Sequence, residues 1–98
     1  MQVVIRNYSG NGAKELFDTL EKHAAELKPL MSAVKGFVSY TLARSSSGGF
    51  SVTVCQEKAG IDASVQLAKD WISKNAPTVG ATAPEVSTGS VILNVNVQ

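Results

Sequence analysis

The stretch Phe37–Glu57, FVSYTLARSSSGGFSVTVCQE, decides the fold. Two runs of β-forming residues, Phe37–Arg44 and Phe50–Glu57, flank the turn cluster Ser45-Ser46-Ser47-Gly48-Gly49. In the first run Val38, Tyr40 and Leu42 alternate with Ser39, Thr41 and Ala43. In the second, Phe50, Val52 and Val54 alternate with Ser51, Thr53 and Cys55. A period of two marks strands with one apolar face, and the turn between them makes a hairpin.

Working outward, Gln2–Tyr8 is a further β-rich run that stops at the turn cluster Ser9-Gly10-Asn11-Gly12. Leu16, Leu20, Ala24, Leu27 and Met31 then recur at spacings of three and four. This periodicity predicts a helix over 12–28, with an irregular continuation to Val34. Pro29 is expected to end or kink it, because the ring clashes with the preceding turn. On the other side of the hairpin, Ile61, Val65, Ala68 and Ile72 predict a helix over Gly60–Asn75, flanked by Leu67 and Trp71. Ala76–Pro84 reads as a loop, and Val86–Val97 as a last strand.

The order strand, helix, strand, strand, helix, strand is a ferredoxin-like α+β pattern, βαββαβ. It builds a four-stranded antiparallel sheet with two helices on one face. The expected covered face carries the apolar residues of the hairpin. The other face would then hold Ser39, Thr41, Ser51, Thr53 and Cys55 with Val4 and Tyr8. So little charge on an uncovered face points to a second copy of the chain lying against it, in a homodimer.

The 98 residues form one domain, 1–98, with a modest core. At 44% apolar and 17% charged residues, the composition excludes disorder. A net charge of +1 with scattered basic residues gives no footprint for nucleic acid or an anionic membrane. No segment reads as a signal peptide or a membrane span, so the expected compartment is the cytoplasm. The single cysteine, Cys55, makes neither an intrachain disulfide nor a zinc site. No phosphate-binding glycine loop and no serine elbow occurs.

Gly36-Phe37-Val38-Ser39-Tyr40, Val52-Thr53-Val54-Cys55, Ala68-Lys69-Asp70-Trp71-Ile72 and Gly89-Ser90-Val91 carry a resemblance across most of the chain. They resemble the antibiotic-biosynthesis-monooxygenase-like group of the dimeric α+β barrel superfamily. The resemblance implies two ferredoxin-like subunits with facing sheets, helices outside, and a pocket between sheet and helices in each. The group includes cofactor-independent oxygenases of aromatic polyketides, a haem-degrading branch, and proteins without known activity. The haem-degrading branch uses an asparagine late in the first strand, a tryptophan in the second helix and a histidine soon after it. Asn7 and Trp71 match, but 76–81 reads Ala76-Pro77-Thr78-Val79-Gly80-Ala81, and the sole histidine is His23 in the other helix. Without an axial imidazole, haem has no ligand of that type, so no cofactor is expected.

Three residues stand as site candidates. Asn7 shares parity with Val3 and Ile5; if these face the helices, its amide sits at the pocket mouth and can hold an oxyanion or phenol. It can equally satisfy the following turn. Trp71 can stack on an aromatic ligand and anchor a polar atom with its indole N–H, or serve as core. His23 can act as a general base, oriented by Glu26 from the solvent side, or simply edge the apolar stripe. Cys55 needs a nearby cation such as Arg6 to be reactive, and reads better as a small strand residue. Tyr8 and Tyr40 are possible phenol donors.

Two readings compete with oxidation of a small aromatic or quinol-type substrate. One is a non-catalytic dimer that binds a small molecule in a vestigial pocket. The other is RNA recognition, which shares the element order. It fails on Val4 in place of the first-strand aromatic and on Gly49–Val54, which keeps only Phe50 of the stacking platform.

Overall fold

The computed structural model describes residues 1–96. Its elements are β1 (Gln2–Ser9), α1 (Ala13–Lys22), α2 (Ala24–Ser32), β2 (Phe37–Ser45), β3 (Gly48–Cys55), α3 (Lys58–Asn75) and β4 (Glu85–Ser90). The four strands form one antiparallel sheet in the order β2-β3-β1-β4, with the helices on one face, the ferredoxin-like arrangement.

The first helical stretch breaks at His23 rather than at Pro29. His23 leaves helical geometry at φ −106° and ψ 18°, yet its carbonyl still accepts from Glu26 and Leu27. Pro29 lies inside α2, where its missing N–H forfeits one bond of a short helix.

The covered face of the sheet differs from the expected one. β2 and β3 are joined by only Ser46 and Ser47, and Ser45 pairs with Gly48. Tyr40 therefore opposes Thr53, and Leu42 opposes Ser51. Residues opposite each other share a face. The helices thus cover Ser51, Thr53 and Cys55 of β3 with Val4, Arg6 and Tyr8 of β1, all buried. Val52, Val54 and Phe50 lie on the open face, beside Val3, Ile5 and Asn7. Tyr8 and Thr53 are consequently under the helices and not on the surface expected to meet a second chain.

Helix approach explains why small residues are covered. α1 and α3 settle directly on β3. A Cβ at Gly49 would sit 2.4 Å from Phe17 Cε2 and 2.7 Å from the Ala43 carbonyl, and one at Gly60 would sit 3.0 Å from Cys55 Cβ. Gly49→Ala is expected to lower stability by about 3 kcal/mol, because Phe17 and the Ala43 backbone cannot both retreat. Urea unfolding checks this; an unchanged midpoint would contradict the close approach.

Two groups of side chains fill the layer between sheet and helices. Leu16, Phe17, Leu20 and Leu27 pack with Tyr8 and Trp71. Val4, Val34, Cys55 and Ile61 form a smaller cluster at the other end.

The last strand is shorter than predicted. β4 pairs with β1 from Glu85–Asn7 to Ser90–Gln2, and the Val91 N–H reaches the Met1 carbonyl. Residues 91–96 adopt no strand despite their alternation. Ile92, Leu93 and Val95 are 99%, 78% and 80% exposed. Val97, expected at the strand's end, lies outside the described residues. Among the described residues no helix is long and apolar enough to cross a membrane.

Candidate active site

The alternation of β1 sends Val4, Arg6 and Tyr8 beneath the helices. Tyr40 and Leu42 of β2 and Ser51 of β3 join them through the register already described. From above, α2 supplies Leu27 and Met31, and α3 supplies Trp71 and Ile72. All of these but Val4 line a cavity of about 20 Å³. That is room for roughly one water molecule.

Two larger hollows adjoin it. A groove of about 440 Å³ between α2 and β2 shares Leu27, Met31, Tyr40 and Leu42 with the cavity. A cleft of about 360 Å³ under the Ala76–Pro84 loop shares Arg6, Tyr8 and Ile72. The cavity therefore lies between groove and cleft, a waist that shares a wall with each. Met31, with its flexible thioether chain, is the wall between waist and groove that yields most readily.

The polar groups at the waist are few and mostly unpartnered. Arg6 is 5% exposed and Tyr8 is 4% exposed. Neither Arg6 Nε nor the Tyr8 hydroxyl has a hydrogen-bond partner. The Arg6 guanidinium stands 5.4 Å from the centre of the Tyr8 ring, a cation–π contact. Buried polar atoms are nearly always satisfied, so these two are the groups of the cavity open to a water or a ligand.

Both tyrosines of the chain line this cavity. Burial pushes the Tyr40 phenol up to about 12; Arg6 pulls the other way and Tyr8 adds to the rise. Burial raises Tyr8 as well, against the pull of Arg6. Both are therefore neutral donors in the physiological range, not bases. A folded phenol that holds its proton above the ordinary value of 10.0 stabilises the fold below that pH and loses the advantage as pH climbs to about 12. Stability is expected to fall across that window. The native tyrosinate absorbance should rise later than in urea, and coincident native and unfolded titrations would refute the burial of the phenols.

Among the residues expected at the site, Trp71 and His23 come together and Asn7 does not. Trp71 is buried, and its ring lines the cavity. Its indole N–H, expected to anchor a ligand, donates instead to Glu26 Oε1 at 3.3 Å. Glu26 Oε2 lies 3.2 Å from His23 Nδ1, as the i+3 spacing predicts. The His23 ring meets Trp71 edge-on at 5.6 Å and does not line the cavity. His23 and Glu26 thus orient Trp71 from outside. Asn7 is exposed on the open face, paired with Phe50 and Glu85, so it does not reach the pocket mouth. The reason is the parity of β1, which is opposite to the one assumed. Cys55 is fully buried; burial raises its thiol, and it pairs in the sheet with Gln2, four residues from Arg6 along β1. Among the described residues no cluster suits a metal ion.

Arg6 and Ser51 were not among the expected site residues. The signal that could have found Arg6 is a basic residue in the middle of an apolar run, Val3-Val4-Ile5-Arg6, where a surface strand would place it on the exposed parity.

No family model matches the chain, and no curated protein matches it at significant similarity. Solved structures do. A variant of MhuD with two manganese protoporphyrin IX molecules bound per active site has a TM-score of 0.68 at 20% identity, over 98% of this chain and 98% of that one. A dimeric ferredoxin-like protein from an uncultured marine organism has a TM-score of 0.65 at 12% identity, over 98% and 96%. A variant of SnoaB, a cofactor-independent oxygenase from Streptomyces nogalater, has a TM-score of 0.59 at 16% identity, over 96% and 94%. The matched structures include antibiotic-biosynthesis-monooxygenase-like proteins. Identities this low carry the fold and not the chemistry.

Proposed function

We propose that this chain is a homodimeric member of the monooxygenase-like barrel group that takes a small aromatic or quinol-type molecule into the passage between sheet and helices and promotes its oxidation by dioxygen without a bound cofactor. The observation that carries this reading is the waist itself. Apolar walls and the Trp71 ring surround a few hydroxyl donors, and a flat ring system seated in the adjoining groove, with Met31 moved aside, would bring its oxygen atoms to them. SnoaB, of the same fold, is a cofactor-independent oxygenase.

The step needs only a substrate methylene made acidic by a ketone conjugated with it through the flanking aromatic rings. Its proton leaves to water, and the carbanion, delocalised as an enolate, passes electrons to dioxygen. A C–O bond forms, and protonation gives a hydroperoxide. Loss of water leaves a new carbonyl, with one oxygen atom in the product and one in water. Tyr8 and Tyr40 supply donors to the enolate oxygen. Oxygen uptake with anthrone is the test. Tyr8→Phe and Tyr40→Phe are each expected to lower the rate tenfold or more with the fold retained.

A second reading, binding without turnover, is favoured by one observation. No imidazole and no carboxylate lines the cavity among the described residues. Bound anthrone with no oxygen uptake would select it.

The dimer rests on the open face. Val3, Phe50 and Val52 are half-buried there and Ile5 is 38% exposed, an apolar surface with no helix over it. Two such faces meeting back to back make a self-complementary interface. The free thiol of Cys55 fits a reducing compartment, and we assign the protein to the cytoplasm.

A further inference from the structure

We propose that the ligand carries a carboxylate on its aromatic body and that Arg6 is its counter-ion, an inference that rests on the passage being a ligand site.

A buried guanidinium ordinarily has a carboxylate beside it, because removing a charge from water is costly unless it is paired. The ion pairs of the described residues involve His23, Arg44 and Lys58, and none involves Arg6. No aspartate or glutamate lines the cavity or the cleft that Arg6 joins. The cation–π contact with Tyr8 offsets part of the cost but fills no N–H. The vacant donor is Nε. Nε and its neighbouring Nη form the side-on fork that grips a planar carboxylate through two parallel bonds.

The surroundings agree. Lys69 lines the outer cleft, so a second cation stands on the path to Arg6. The orphan Tyr8 hydroxyl lies beside Arg6 and can donate to the same oxyanion. Apolar side chains take over beyond these groups, so a ligand with one anionic end and a ring at the other matches the passage. A neutral quinol would leave the guanidinium unpaired.

Calorimetric titration at neutral pH with 2-naphthoate and with the neutral 2-naphthamide tests this. The unaltered protein is expected to bind naphthoate at least tenfold more tightly. Arg6→Met should abolish that preference while still binding the amide. Arg6→Lys, which keeps the charge but loses the fork, should retain part of it and guards against a folding defect in the first variant. Equal binding of both probes by the unaltered protein, or a preference that survives Arg6→Met, would overturn the carboxylate assignment and leave the aromatic site standing. Binding of neither probe would overturn the site itself, and the assignment with it.

Discussion

Val52→Asp is expected to leave a folded monomer. Val52 lies on β3, one of the two inner strands, and its side chain is on the open face, opposite Ile5 on one side and Thr41 on the other. In the proposed two-fold interface one substitution buries two carboxylates, both stripped of water. Like charges brought together in this way cost several kcal/mol, so the dissociation constant should rise by about a thousandfold or more. Thr53→Asp is the informative contrast. Thr53 is 3% exposed and lies beneath the helices, so a charge there should unfold the chain rather than dissociate it. Sedimentation velocity across a range of concentrations, with circular dichroism, separates the two. A Val52→Asp protein that stays dimeric would remove the open face as the interface.

Arg6→Met is expected to raise the melting temperature. Most substitutions at a 5% exposed residue destabilise, but here the side chain removed is a cation without a carboxylate. Methionine fills similar volume and has no charge to desolvate. Exchanging buried charges for apolar side chains gains about 1–4 kcal/mol where it has been measured, and loss of the Tyr8 contact takes some back. A net gain of about 1–2 kcal/mol corresponds to a rise of roughly 4–16 °C at this chain length. The same variant should lose ligand affinity, which is the trade expected of a site held in a strained electrostatic state. If Arg6→Met melts lower than the parent, Arg6 is compensated within the fold and needs no anion.

The fold was legible because its signals were local. Alternation in the hairpin, the three-and-four spacing of Leu16, Leu20 and Leu27, and the glycine-rich turns each named an element without reference to any other. The facing of the sheet was not legible in the same way. Reading Ser45–Gly49 as a five-residue turn left the hairpin register free, and aligning apolar with apolar put Val52 and Val54 under the helices. The actual two-residue connection shifts the pairing by one and reverses every β3 assignment. The parity of β1 was taken the wrong way as well, which placed Asn7 inward and Arg6 outward. The positions of Trp71 and His23 did not depend on it, because helical spacing placed them independently of the sheet. The break at His23 was hidden by Pro29, the stronger local signal, whose cost a short helix could absorb.

The alternation of β1 has a consequence for how this protein can change length. Arg6 and Tyr8 serve the passage, while Val3 and Ile5 serve the open face, on a single eight-residue strand. Inserting or deleting one residue within it would exchange the two sets beyond that point, putting a guanidinium among the valines of the open face and an isoleucine beneath the helices. Ligand site and interface would be lost in one event. A two-residue change keeps both sets facing the right way and only slides them along. Lineages descended from this chain should therefore show length variation in β1 in steps of two, or as bulges that restore the phase, with single-residue changes confined to the loops.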